Sequence, residues 1–427
     1  MRFRCRQSVL RGAITIPASK SHTIRAVTIA SLANGRSVIH SPLVSADTRS
    51  AVAGFSGVGA DVDAEQPAVW CVRGVDGRPA VRRPTVDVGN SGTTLRILLG
   101  IAGLLPRGQT LTITGDEQLR RRPAGPLLEA LNALGAAVAS VNHNGCAPFR
   151  AGGHLAGGAA RLTATSSQYV TSLLLACPLA DRETELDVPL LNEKMYVQMT
   201  LDWLTKQGID VEHDQMCRFR IPGGQQYLPF EQEIPGDFSS ATFFFGAGAL
   251  AQNDVRCCGL DMSDSQPDKA VADYLDAMGA EVTTDDKSIR VQPGALRGIE
   301  IDMNETPDAL PVMAVLGCFA QGETKLRNVE QARQKETDRI AVMARELTRL
   351  GADIAERPDG LIIRESELRG TRVDGHGDHR VVMALALAGM HCPGTTEISG
   401  AEAAGITFPE FDDLMRSLGA ELETSDD

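Results

Sequence analysis

Three stretches in the second half of this 427-residue chain carry the ionisable side chains that proton transfer needs. Pro307-Asp308 falls in a loop, Lys335-Glu336-Thr337-Asp338-Arg339 begins a helix, and Gly377-Asp378-His379-Arg380 precedes an apolar run from Val381 to Met390. Each taken singly is a surface ion pair or a helix cap. Taken together they supply carboxylates able to exchange protons and cations able to neutralise a phosphate in transfer.

The first half is rich in hydroxyls, glycine and cations. Pro17-Ala18-Ser19-Lys20-Ser21-His22-Thr23-Ile24-Arg25 enters a helical run from Ala26. Hydroxyls, N–H groups and two cations at a helix start suit an anion; a Ser/Thr cap with solvated basic residues is the other reading. In Asp87-Val88-Gly89-Asn90-Ser91-Gly92-Thr93-Thr94-Leu95-Arg96 a strand runs into a tight turn and then a helix. Its amides can approach a phosphate or carboxylate closely, with Arg96 one turn inside, or the turn can stand without a ligand. Arg120-Arg121-Arg122-Pro123 is a basic run that by default is a solvated face. Ser166-Ser167-Gln168-Tyr169 opens another helix, as caps or as ligands of a phosphate and a hydroxylated ring. Pro235-Gly236-Asp237-Phe238-Ser239-Ser240-Ala241, near the midpoint, reads as structural: a hinge or a helix start. No Walker sequence is present, which excludes a P-loop.

The elements that must position these residues announce themselves by repetition. An amphipathic helical stretch, a glycine, a small residue and then a β-branched or aliphatic residue recur six times, at Gly59, Gly135, Gly208, Gly279, Gly351 and Gly419, spaced 76, 73, 71, 72 and 68 residues apart. Segments such as Pro126–Leu134 and Val342–Leu350 place apolar residues three and four apart, as one buried helix face requires. Glycine then supplies the left-handed position that stops the helix, and a strand follows. One such junction is common in α/β proteins; six at near-constant spacing indicate six βα-rich repeats of about 70 residues. Such units cannot bury their faces alone, so they are expected to group three and three into two lobes, with ligands between the lobes.

Composition bounds the rest. Hydrophobic residues make up 43% of the chain, aromatics 4%, and there are 42 glycines, so the packing is aliphatic and the chain turns often. A formal net charge of −13 argues against general affinity for nucleic acid or an anionic membrane. Any anionic ligand must be held by a local basic cluster. Nine cysteines, an odd number without a C-x-x-C pair, disfavour a disulfide framework and a zinc site and point to a reducing cytoplasm. Neither a signal peptide nor a membrane span is expected, the longest apolar stretch having ten residues, Val381 to Met390.

In their order and spacing these motifs resemble the EPSP synthase (3-phosphoshikimate 1-carboxyvinyltransferase) family over essentially the full length. The resemblance implies an inside-out α/β fold, barrel-like, of two lobes with three repeats each. It places the C-terminal lobe at 1–18 plus 236–427, the N-terminal lobe at 19–235, and the active site in the cleft between them. It implies that Lys20, Gly92, Thr93, Arg122, Arg339 and Arg380 surround phosphoenolpyruvate. Ser21, Arg25, Ser166, Ser167, Gln168, Tyr196, Asp308 and Lys335 would hold shikimate 3-phosphate, with Arg96 supporting them. The catalytic set would be Lys20, Asp308, Glu336 and His379: Glu336 for proton exchange at C3 of phosphoenolpyruvate, Asp308 for the acceptor 5-hydroxyl, Lys20 for the departing phosphate. No metal or organic cofactor is implied, and the chain is expected to act as a cytoplasmic monomer.

Two positions depart from the family pattern. Glu193 stands where Ser or Thr is common, three residues before the binding Tyr196, and a carboxylate there is unfavourable beside a phosphate unless Lys194 or a rotated side chain shields it. Ile406 stands where many members place a lysine on phosphoenolpyruvate. The first departure motivates the rival reading, a carboxyvinyl transferase with a different acceptor. The sister transferase acting on UDP-N-acetylglucosamine pairs Lys-Asn with a cysteine-bearing loop, whereas this chain has Lys20-Ser21 and Arg120-Arg121-Arg122. A catalytically inactive module is disfavoured by the presence of Lys20, Asp308, Lys335, Glu336 and His379 together.

Overall fold

The six glycines that punctuate the sequence all have positive φ, between 68° at Gly208 and 117° at Gly59. Each follows a short helix and hands the chain to a strand: Gly125–Ala133 gives way to Ala136–Ser140, and Arg339–Leu350 to Asp353–Arg357. A side chain at these positions would be strained, so glycine ends the helix without penalty. In the computed structural model, which describes residues 1–426, these junctions belong to six four-stranded sheets built alike.

One repeat shows the pattern. Strand Thr85–Asp87 pairs in parallel with Thr110–Thr114, joined by the helix Gly92–Ala102, as a parallel connection demands. Thr110–Thr114 then pairs antiparallel with Phe149–Gly153, which pairs antiparallel with Ala136–Ser140. Three such sheets lie in residues 18–234 and three in Met1–Pro17 together with the chain from Pro235 onward, two compact units each with its own core.

The crossover helix of each repeat is the buried one. Helix Lys20–Leu32 buries every residue from His22 to Leu32, and Phe238–Gly248 and His379–Gly389 are buried along their whole length. Largely apolar composition explains this for the latter two, whereas Lys20–Leu32 also buries His22, Thr23, Arg25, Thr28 and Ser31. Some of the polar residues inside bond their own backbone, as Thr23 and Thr28 do to the carbonyls of Ser19 and Ile24, both at 2.8 Å. Close approach is built in: a Cβ on Gly100 would lie 2.5 Å from Ser172 Oγ, so helices Gly92–Ala102 and Ser167–Ala176 touch backbone to side chain there.

What matters for chemistry is how these helices begin. Ser19, Ser91, Ser166, Asp237 and Asp378 each accept a hydrogen bond from an amide of the first turn. Such caps fix the entry of the chain and leave neighbouring amides at the helix mouth. Two expectations are corrected. The first helix begins at Lys20, not Ala26, because Ser19 caps it. The later one begins at Arg339 with Asp338 as cap, so Lys335, Glu336 and Thr337 lie in the preceding loop. Pro235-Gly236-Asp237 is a helix start, as read. Among the described residues all nine cysteines are free and no helix is long and apolar enough to cross a membrane.

Candidate active site

In the unit that begins again at Pro235, the ionisable residues converge on one guanidinium. Arg339 opens its helix at 1% exposure. Its Nε donates to Asp378 Oδ2 at 2.8 Å, Nη1 to Asp308 Oδ1 at 2.7 Å and Nη2 to Glu336 Oε2 at 2.6 Å. Burial opposes its charge, but Asp378, Glu336 and Asp308 outweigh that and raise its pKa, so Arg339 is permanently cationic. The planar fork suits this: one side chain meets three carboxylates with defined directions, which an ammonium would not do.

Asp308, in the turn before helix Leu310–Phe319, carries two more cations. Arg380 Nη2 lies 3.0 Å from Oδ2 and Lys335 Nζ 3.8 Å from Oδ1. Arg380 also donates to Ser239 Oγ at 2.6 Å. Asp378 does double duty: it caps the helix through the Arg380 amide at 2.9 Å and takes the Thr337 hydroxyl at 3.2 Å. His379, first residue of that helix, is buried at 2% exposure. Asp308, Lys335, Glu336, Arg339 and Arg380 therefore form one cluster of three cations and two carboxylates, which Asp378 makes three and three. Arg339 spends its N–H groups on protein carboxylates rather than standing open, a geometry the sequence did not disclose.

The unit of residues 18–234 assembles a second cluster at the mouths of its buried helices. Arg96, 3% exposed, donates to Gln168 Oε1 at 2.6 Å and to the Pro123 carbonyl at 3.3 Å, and lies over the Tyr169 ring. Gln168 Nε2 donates to Thr93 Oγ1 at 3.0 Å. Arg122 is buried beside Gly92: a Cβ there would sit 2.9 Å from Arg122 Nη1 and 2.8 Å from Arg96 Nη1. Only glycine lets two guanidiniums lie against the helix start. Gly92, Thr93, Arg96, Arg122 and Gln168 thus stand together.

Arg25 joins by another route. It donates to the Tyr196 carbonyl at 2.8 Å, the Ser21 carbonyl at 3.0 Å and Thr200 Oγ1 at 3.0 Å, and Thr200 meets Thr171 in the helix that Ser166 caps. Lys20 is paired with the 6%-exposed Asp47 at 3.3 Å, a partner no motif suggested. Glu193 does not turn to solvent. At 2% exposure, its Oε2 accepts from the Ser167 hydroxyl at 2.6 Å and the Ser167 amide at 3.2 Å. Ile406 ends a short 3-10 helix and packs against the core of the other unit. A concavity of about 820 Å³ on the face of sheet 158–221, lined by residues such as Arg161 and Phe219, contains none of these groups.

Sequence reasoning missed Asp378, Asp47, Ser239 and Thr200 as partners. Asp378 stands in the Gly377-Asp378-His379-Arg380 motif and Ser239 in the 235–241 stretch; Asp47 and Thr200 carried no signal, lying 27 and 175 residues from the cations they serve.

Comparison with known proteins supplies what geometry alone does not. The profile of EPSP synthase (3-phosphoshikimate 1-carboxyvinyltransferase) matches residues 6–415. The 3-phosphoshikimate 1-carboxyvinyltransferase of Ruminiclostridium cellulolyticum is 49% identical over 99% of this chain and 100% of its own. That of Methanococcoides burtonii is 43% identical over 100% of both. Among solved structures, EPSP synthase from Acinetobacter baumannii superposes with a TM-score of 0.83 at 25% identity, covering 99% of this chain and 100% of its own. The six-repeat α/β fold expected from the sequence is thereby shared with solved members.

Proposed function

We infer that this chain, which belongs to the EPSP synthase family, transfers the enolpyruvyl group of phosphoenolpyruvate to the 5-hydroxyl of shikimate 3-phosphate, releasing phosphate. The reaction belongs to the shikimate pathway that leads to the aromatic amino acids. The observation that carries the reading is the Arg339 cluster, in which two acid–base candidates, Asp308 and Glu336, are held on one buried guanidinium beside Lys335 and Arg380.

The chemistry asks for that arrangement. The 5-hydroxyl oxygen bonds to C2 of phosphoenolpyruvate and gives its proton to a base while C3 gains a proton, forming a tetrahedral ketal phosphate. That species then loses phosphate and one C3 proton, leaving the enol ether. We assign the hydroxyl proton to Asp308 and the C3 proton to Glu336, with His379 in the same catalytic set. Both carboxyls reach the same guanidinium, so their separation is set by a rigid plane rather than by two flexible chains. Arg380 and Lys335 flank Asp308 and offset developing phosphate charge.

The second cluster supplies binding. Ser21, Arg25, Ser166, Ser167, Gln168 and Tyr196 are assigned to shikimate 3-phosphate, with Asp308 and Lys335 taking ring hydroxyls. Lys20, Gly92, Thr93 and Arg122 are assigned to phosphoenolpyruvate together with Arg339 and Arg380. Both substrates are anions, and cations must hold them in register before either can react. Because these assignments draw on both units, we propose that one pair of substrates engages both, with closure that excludes water. A smaller radius of gyration in solution scattering on adding shikimate 3-phosphate supports this; an unchanged one opposes it.

The deciding assay is release of inorganic phosphate from phosphoenolpyruvate with shikimate 3-phosphate as acceptor and UDP-N-acetylglucosamine as control. No release with either acceptor sinks the assignment. A transferase with another acceptor is the second reading, favoured by the bond between Glu193 and Ser167. We read the protein as a monomer of the cytoplasm that needs neither metal nor organic cofactor.

A further inference from the structure

The buried contact between Glu193 and Ser167 concerns donors already assigned a task. Ser167 is the first residue of helix Ser167–Ala176, and its amide is one of those left unpaired by the helix itself. With its hydroxyl it offers two donors at the positive end of the helix, which favours an anion. The anion present is internal. Glu193 Oε2 takes the hydroxyl at 2.6 Å and the amide at 3.2 Å, with the glutamate only 2% exposed and Ser167 likewise 2%.

The backbone is bent to deliver that carboxylate. Glu193 has φ 59° and ψ 46°, a left-handed conformation costly for a residue with a Cβ, and it immediately precedes helix Lys194–Lys206. From there Arg25 reaches the Tyr196 carbonyl one turn on, so the same corner holds a cation assigned to the acceptor. An acceptor phosphate that takes the Ser167 donors meets a carboxylate bonded to the same two hydrogens. Like charges so placed repel, and the donors cannot serve both oxygens fully.

We propose that Glu193 is a specificity-determining residue, an internal anion that competes with the acceptor's phosphate for Ser167 and so reduces this chain's preference for a phosphorylated acceptor. The proposal rests on the assignment of Ser166 and Ser167 to that phosphate. Two variants test it. Glu193→Gln keeps the shape and removes the charge; Glu193→Asn suits the left-handed backbone, removes the charge and shortens the side chain by one methylene. Calorimetry gives the dissociation constants of shikimate 3-phosphate and of shikimate for the parent chain and both variants, shikimate being read by displacement where it binds weakly.

The affinity ratio of the phosphorylated to the unphosphorylated ligand is expected to rise at least about tenfold in both variants, equivalent to about 1.4 kcal/mol. A ratio that stays within about twofold of the parent in either variant overturns the proposal. That includes the case where both ligands weaken together, which is what loss of a merely structural helix cap produces. Turnover of shikimate 3-phosphate by the unaltered protein is measured separately. Its absence would refute the proposed acceptor, whereas an unmoved ratio refutes only the role of Glu193.

Discussion

Replacing Asp378 by Asn removes one charge and no volume from a place where both count. Asp378 is 0% exposed, and its two oxygens have different duties. Oδ1 accepts the Arg380 amide at 2.9 Å, capping the helix, and Arg339 Nη2 at 3.3 Å, while Oδ2 accepts Arg339 Nε at 2.8 Å and the Thr337 hydroxyl at 3.2 Å. An amide has one acceptor atom. If it stays on the helix cap, an NH₂ faces the Arg339 N–H and donor meets donor; if it flips, the cap is lost and the same clash falls on the Arg380 amide. Removing one partner of a buried, hydrogen-bonded charge pair costs about 3–5 kcal/mol, because the cluster is left with one buried positive charge in excess. With a urea slope of about 2 kcal/mol/M, that is a fall in midpoint of about 1.5–2.5 M in circular dichroism. Arg339 keeps Asp308 and Glu336 but loses the carboxylate that sets its plane, so kcat is expected to fall about 100-fold if orientation of Asp308 and Glu336 depends on it. Asp353→Asn, which touches only an exposed ion pair with Arg364, is the control and should change neither. An Asp378→Asn midpoint within about 0.5 M of the parent, or full kcat, would refute the reasoning that this carboxylate anchors the cluster.

Other consequences follow from single contacts. Gly92→Ala pushes a methyl group to within 3 Å of the Arg122 and Arg96 guanidiniums; KM for phosphoenolpyruvate should rise at least about tenfold while the urea midpoint holds, and an unchanged KM would show that these cations do not serve that substrate. Ile406→Lys places a cation where the family pattern has one, and tighter apparent binding of phosphoenolpyruvate is expected, whereas no change counts against the idea that one cation is missing. His391 is buried between Asn253 Nδ2 on Nε2 and the Leu387 carbonyl on Nδ1, and burial lowers its pKa. The unfolded chain therefore binds the proton first as pH falls below about 6.5, so stability drops from there toward the lower folded value. Urea melts at pH 7.5 and 5.5 should show a smaller loss in His391→Gln than in the parent; equal losses would mean that His391 is not the group being protonated.

Much of this molecule was legible before any coordinate. The six glycines announced the repeats because a helix stop depends on a local backbone angle, and an angle near +100° at Gly135, Gly279, Gly351 and Gly419 is a property of the residue itself. Ser91, Ser166 and Asp237 were readable as helix starts because a cap bonds amides two or three residues away. The motifs also named most members of both clusters by type. Where the reading erred locally, at Ala26 and at Lys335, the error was one of register, and only the folded chain showed that Ser19 and Asp338 accept the capping bonds.

What only tertiary structure decided is which charge meets which. Asp47 finds Lys20, Thr200 finds Arg25, and Arg339 gathers Asp308, Glu336 and Asp378 from three separate turns. Apart from Glu336, three residues before Arg339, nothing in spacing along the chain specifies such pairs, since they form where helix starts and turns distant in sequence come side by side and buried polar groups must find partners there. Glu193 is the clearest instance. In the sequence it was a carboxylate out of place near a binding tyrosine. Folding sets it on Ser167, 26 residues away, and makes a local oddity into a competitor for the donors of a helix mouth.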